Sequence, residues 1–296
     1  MRGRQVEGKS QTKQERLAHI DFRLYFLGDI SRNDLKKRFG VADAAATRDL
    51  ADYKKQAEGN LTYDPQERIY KASEDFTPLF DYQPERVLSA LSQGFGDDQI
   101  TIHKSYIPCE RPSQLNKPDV HVLSKLSRAI YNQEALSIKY RSVRSGLTER
   151  VIIPFCLVDN GLRWHVRAYD RRRDQFMDLV LTRISDPVTP KDPTPLEHES
   201  KEFDKQWNRI VELEIVAHPQ LEHKDTIEMD YAMEDGVLKM DVRAAVAGYL
   251  LRRWNVDCSK DAKLRGDEYH LWLQNRQALY GVDNLKIAPG FESDPL

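Results

Sequence analysis

Residues 162–170 read LRWHVRAYD, and the alternation within that stretch decides how the middle of the chain is built. Successive side chains of a strand point to opposite faces. Trp164, Val166 and Ala168 therefore share one face, and Arg163, His165 and Arg167 share the other. The first is a core face. The second is a row of cationic or protonatable heads, suited to holding an anion.

Working outward, strand-like runs flank this stretch at Leu136 to Val143, Glu149 to Val158 and Phe176 to Ile184, and a helix is expected over Val120 to Asn132. Asp159, Asn160 and Gly161 mark a hairpin turn, because Asn and Gly accept positive φ. About five short strands at this spacing make a small barrel with a helix packed on it.

Upstream, Leu17, Ile20, Leu24 and Leu27 follow the three-and-four spacing of an amphipathic helix between Gln14 and Gly28. Ser31 with Asp34 is a capping-box signature, Leu35 and Phe39 face inward, and Gly40 ends that second helix. Asp43 is expected to cap a third helix that turns Ala46, Leu50 and Tyr53 inward and Ala44, Thr47, Arg48 and Lys55 outward. LTYDPQERIYKA at 61–72 then reads as two strands about a proline turn. Three helices followed by a hairpin is the winged helix-turn-helix order, which lays the third helix in a DNA major groove. There, small Ala44 permits close approach, while Thr47, Arg48, Lys54 and Lys55 reach base edges or phosphates. Arg4 belongs to a basic N-terminal arm, and Arg68 sits where the wing meets the DNA backbone. The alternative for this segment is a plain three-helix interaction module.

Downstream, Pro187 to Pro195 reads as a proline-rich linker. WNRIVELEIVAHP alternates like a strand, DTIEMDYAMEDGVLKMDV offers two further strands around Gly236, and AAVAGYLLRRW reads as a helix. Arg252 and Arg253 are taken as the positive charge a helix end favours.

The chain has 296 residues and a net charge of −2, room for two or three domains. That near-neutral total hides a polarity: the balance is +4 over residues 1–72, −3 over 73–118, +4 over 119–188 and −7 over 189–296. Two basic modules imply two anionic partners. Cys109, Cys156 and Cys258 are widely separated, which argues against a disulfide framework and a zinc site and for buried small hydrophobes. The apolar run at 151–158 is too short to span a bilayer, and the N-terminal residues lack the apolar core of an export signal. The cytoplasm is the expected location, with no membrane partner.

IKYRS at 138–142, IIPF at 152–155, LRWHVRAYD, and LTRI at 181–184 resemble the WYL-domain transcriptional regulators. Where the signature strand of that family carries Trp, Tyr and Leu, this chain has Trp164, His165 and Val166. The order of modules resembles repressors that sit beside bacterial anti-phage defence operons of the BREX and CBASS kinds. The resemblance implies an α+β multidomain fold: a winged helix-turn-helix domain over 1–75, a connector over 76–118, and a ligand-sensing, SH3/Sm-like β-barrel over 119–188. A linker over 189–200 and a small α+β extension for dimerisation and coupling over 201–296 complete it. It also implies an effector groove lined by Tyr140, Arg141, Ser142, Arg144, His165, Arg167 and Arg183. Guanidinium forks bind phosphate in a bidentate manner, and histidine can donate to phosphate or stack on a base.

The function expected is that of a homodimeric repressor on an inverted-repeat double-stranded operator, controlled by a single-stranded nucleic acid or a nucleotide. A nucleic-acid-processing enzyme and an RNA- or partner-binding adaptor are the alternatives. The enzyme reading is the weaker, because the sequence holds no compact DxD or HxH cluster, no GxxxxGK[ST] and no GxSxG. No cofactor or metal is expected.

Overall fold

Ser31 does in three dimensions what its spacing from Asp34 predicts. In the computed structural model, which describes residues 11–93, 106–110 and 115–292, its Oγ accepts the Asp34 amide at 3.2 Å while an Asp34 carboxylate oxygen accepts the Ser31 amide at 2.8 Å. The chain divides into two units, Met1–Pro112 and Ser113–Leu296. The first runs α1 (Gln11–Leu27), β1 (Asp29–Ile30), α2 (Arg32–Phe39), α3 (Asp43–Gln56), β2 (Leu61–Asp64), β3 (Ile69–Ala72) and α4 (Pro84–Gln93). Gly40 closes α2 in the left-handed conformation, at φ 64°. Leu17, Ile20 and Leu24 pack on Leu35, Ala46, Leu50 and Tyr53 to form the core. The three strands pair in the order β1-β3-β2, so the wing is a sheet edged by β1 and β2.

Asp43 does not cap α3. The N-cap is Ala42, which makes no side-chain cap, and the Asp43 carboxylate is taken by Lys36 Nζ at 3.0 Å. It still lies in the first turn, where the helix dipole favours negative charge. Arg4 lies outside the described residues.

A buried carboxylate fastens this unit together. Asp21, on α1, is fully buried and accepts hydrogen bonds from the Tyr53 hydroxyl of α3, the Leu79 amide and the Tyr82 hydroxyl. Donors from three places offset the cost of removing the charge from water. Burial first, with Asp21 beside them, raises the pKa of both tyrosines, so both stay protonated.

The second unit begins with α5 (Val120–Asn132), as predicted, followed by β4 (Leu136–Ser142), β5 (Gly146–Asp159), β6 (Trp164–Asp170), β7 (Gln175–Val180) and β8 (Ile184–Val188). These strands form one antiparallel sheet in the order β7-β6-β5-β4-β8. The expected barrel is therefore an open sheet, with β7 and β8 at its edges. The predicted run from Phe176 to Ile184 breaks at a 3-10 turn, Leu181–Arg183, which ends β7 before it can pair with β8. The ends still approach: the Tyr140 hydroxyl of β4 accepts the Val180 amide at 3.3 Å. A register shift between Pro154 and Cys156 interrupts the β5–β6 ladder at a residue with no N–H to donate. Val122, Leu126 and Ala129 of α5 cover the face that carries Ile138, Ile152, Val166, Ala168 and Leu179.

The chain continues through α6 (Lys205–Asn208), β9 (Ile210–Ala217), α7 (Lys224–Asp230), β10 (Val237–Arg243), α8 (Ala244–Arg253) and β11 (Leu271–Leu273). The sheet order is β10-β9-β11. The first strand expected within DTIEMDYAMEDGVLKMDV is instead α7. Ile227, Met229 and Tyr231 alternate like a strand, yet Ile227 and Tyr231 are also four apart. The helix packs these two on the core and leaves Met229 exposed. Nor is the proline-rich segment a free spacer. Pro193 accepts the Ala135 amide at 2.7 Å, and Arg171 binds both the Thr194 carbonyl and the Glu199 carboxylate. Of the cysteines, Cys258 is buried, Cys156 half-buried and Cys109 exposed, so the expectation of three buried thiols fails at Cys109. No helix among the described residues is long and apolar enough to cross a membrane.

Candidate functional site

On α3, charge is sorted by face. Its inward and flanking acids are each answered by a cation from a neighbouring helix: Asp49 by Arg16 at 2.6 Å, Asp43 by Lys36 at 3.0 Å, and Asp52 by Lys13. Asp49 is buried despite its charge because it sits against α1 with Leu50 and Tyr53. What remains outward is Ala44, Thr47, Arg48, Lys54 and Lys55, all exposed. Among the described residues, Arg48, Lys54 and Lys55 have no ion pair, and Thr47 bonds only to the Asp43 carbonyl of its own helix. The α3 positions predicted for DNA contact thus share one exposed face whose cations carry no ion pair among the described residues. Arg68 closes the β2–β3 turn at φ 59° and is also exposed.

The second face of β6 is different. Core alternation holds, with Val166 and Ala168 fully buried, but the opposite face is covered too. His165 is 3% exposed and Arg167 5%. Arg167 Nε and Nη2 reach the Asp204 carboxylate at 2.7 and 3.0 Å, and Nη1 reaches Asp178 at 3.0 Å. Tyr249, on α8, donates its hydroxyl to the other Asp178 oxygen at 2.9 Å and stacks on His165 with centroids 5.2 Å apart and planes at 23°. Arg167, expected to grip a ligand, therefore has its fork filled by protein carboxylates. Burial opposes its charge, but Asp204 and Asp178 more than compensate and raise its pKa. Burial, opposed by Asp178, lowers that of His165. Asp178 lies on β7 and is visible as a neighbour in the strand pattern. Asp204 and Tyr249 are not, because no local signal brings residues so distant in sequence onto this face.

The other predicted ligand residues fall elsewhere. Tyr140 is buried, with the Arg150 guanidinium 4.7 Å above its ring, and is a core residue rather than a groove residue. Arg141, Ser142 and Arg144 gather at the β4–β5 turn, where Ser142 Oγ accepts the Arg144 amide at 3.2 Å. Arg141 and Arg144 are exposed. Arg183, half-buried, precedes Ile184, which is registered with Tyr140. Arg141 is registered with Leu147 of β5, whereas Arg167 is registered with Cys156, nine residues further along the strand. The expected single groove is therefore two separate places: an exposed cationic turn and a buried ion-pair junction.

Known families match three segments of the chain. Residues 12–93 match the BrxR transcriptional regulator winged helix-turn-helix domain, residues 121–189 the WYL domain, and residues 210–279 the BrxR transcriptional regulator C-terminal dimerization domain. A protein of Escherichia coli (strain KTE188) described as DNA-binding transcriptional repressor CapW is 31% identical over 290 residues, which cover 95% of this chain and 94% of that protein. Proteins of the same description from Pseudomonas aeruginosa, 31% identical over 287 residues (94% of this chain, 93% of that one), and Stenotrophomonas maltophilia, 31% over 256 (82% and 83%), are also similar.

Proposed function

Because the chain belongs to the CapW family of DNA-binding transcriptional repressors, we propose that it is a homodimeric repressor of a phage-defence operon, reading an inverted-repeat duplex with α3. The observation that carries this reading is the sorting of charge on α3, whose acids are answered by α1 and α2 while Arg48, Lys54 and Lys55 face outward unpaired. Phosphates and base edges supply the missing partners. One helix reads only a few base pairs, so specificity calls for a second copy, and the match of residues 210–279 to a dimerization domain supports that pairing. The relatives are named as repressors rather than catalysts, which removes the enzyme reading.

The second unit is the sensor in this reading. An anionic effector, single-stranded nucleic acid or a nucleotide, meets its unpaired cations and changes operator affinity, which requires unequal binding to the DNA-free and DNA-bound forms. Coupling of about 1 to 3 kcal/mol would change operator affinity roughly 5- to 150-fold. A footprint on the DNA upstream of its own operon tests the first part: a two-fold symmetric protected site is expected. Arg48→Ala should weaken specific binding by about 1 to 3 kcal/mol. An Arg48→Ala variant that protects the same site at the same concentration would remove α3 from the interface.

A further inference from the structure

Between the β5–β6 turn and the C-terminal end of α8 lies a cavity of about 370 Å³, lined by Asn160 and Gly161 on one side and by Tyr249, Arg252, Arg253 and Asn255 on the other. Among the described residues, no carboxylate lines it. The side chains of Arg252 and Arg253 have no hydrogen bond or ion pair among the described residues; Arg253 only lies over the Trp254 ring, at 5.5 Å. A third cation acts on Tyr249 from the strand side. The Nε of Arg163, the residue after Leu162 at this turn, is buried without a partner. So is Nδ1 of His165, whose ring stacks on Tyr249. The glycine matters here: a Cβ on Gly161 would come within 2.8 Å of Arg253 Cδ and 3.0 Å of its Nε, so its absence lets Arg253 lie across the turn. The carbonyls at the end of α8 do not point bare into this space, because Leu250, Leu251 and Arg252 accept the amides of Trp254, Val256 and Asn255.

We propose that this cavity binds a phosphate ester of mononucleotide size, with the phosphate held by Arg252 and Arg253 and the remainder against Tyr249. The volume falls in the range of small-ligand sites, which favour junctions between folded parts. Two adjacent guanidinium forks without carboxylates form a phosphate-binding pair, and the phosphate relieves the repulsion between these two neighbouring arginines. Tyr249 links the cavity to the buried junction: it lines the cavity, and its hydroxyl holds Asp178, which pairs with Arg167. This deepens the sensor reading and rests on it only for the effect on DNA.

Calorimetric titration of the full chain with adenosine 5′-monophosphate, adenosine and inorganic phosphate tests the site. Adenosine 5′-monophosphate should bind, phosphate should bind more weakly, and adenosine should bind at least about tenfold more weakly than the monophosphate. An R252Q/R253Q variant should lose at least about tenfold in affinity for the monophosphate while keeping the melting temperature of the unliganded protein. These two side chains are exposed, so folding does not depend on them. Absence of monophosphate binding, equal binding of adenosine, equal binding of phosphate, or unchanged binding by the variant would each overturn the proposal. Operator affinity measured with and without the monophosphate separates the two readings. Arginine-dependent binding that leaves operator affinity unchanged keeps the site and sinks the sensor.

Discussion

The outward face of α3 and the second face of β6 carry the same kinds of residue and meet opposite fates. On α3, the acids turn toward α1 and α2 and leave the cations free. On β6, carboxylates arrive from β7 and from the segment before α6, and consume Arg167. A basic face is therefore an interface for an outside anion only where no other element of the chain supplies the anion first. Residue type sets the appetite; the neighbouring elements decide who satisfies it.

The sharpest way to break this comparison is at Arg167. If its pairing with Asp204 and Asp178 is what holds the junction, Arg167→Ala leaves the buried Asp204 and the half-buried Asp178 without their cation and should cost about 3 to 5 kcal/mol, read as a lower denaturant midpoint. The exposed cation Arg48, replaced by alanine, should leave that midpoint within about 0.5 kcal/mol. Equal stability of the two variants would erase the distinction between the faces.

A smaller effect distinguishes the units by pH. His19, on α1, is buried against the Phe39 ring, and burial first, then Arg38 and Arg23, brings its pKa down to about 3. A base with a folded pKa below its unfolded value of about 6.5 binds fewer protons folded than unfolded. Stability is then complete above pH 6.5 and declines as pH falls toward the folded value, by up to about 1.4 kcal/mol per pH unit. Hydrogen-exchange protection of the α1–α3 amides should accordingly fall between pH 6.5 and 5.5, after correction for intrinsic exchange rates, and His19→Phe should flatten that dependence. Protection that does not vary with pH in wild type would mean that the imidazole accepts its proton without unfolding.

The smallest effect concerns the lysines of α3. Lys54→Ala and Lys55→Ala should each lower the slope of log affinity against log salt by about 1 while leaving sequence preference intact. A change in preferred operator sequence would show these lysines reading bases, and an unchanged slope would take them off the DNA.

How much of this could be read in advance follows from the range of each interaction. Ser31, Asp34 and Gly40 bound α2 through contacts within a few residues, and their positions suffice to mark its ends. Asn160 and Gly161 announce the β5–β6 turn in the same way, the Asn160 side chain accepting the Leu162 and Arg163 amides. Tyr140 was harder. It stands on a strand among polar neighbours, and only the curl of the sheet brings its hydroxyl to the Val180 amide. α7 was ambiguous because its apolar residues satisfy both a two-residue and a four-residue repeat, and the packing of Ile227 and Tyr231 against one core resolves it.

The amino-acid sequence by itself determined the three helices and wing, the helix α5, the strands around LRWHVRAYD, and which of that strand's residues share a face. Steric limits on φ, caps and periodic burial act over one to four residues, so they are written in the local order of side chains. Tertiary structure alone decided that the sheet stays open, that the proline-rich segment docks, and that the face of Arg167 is closed. Asp204 lies 37 residues from Arg167, and Tyr249 lies 71 residues from Asp178. Whether such a cation faces solvent or an ion pair depends on which distant carboxylate the folded chain carries to it, and no local rule encodes that arrival.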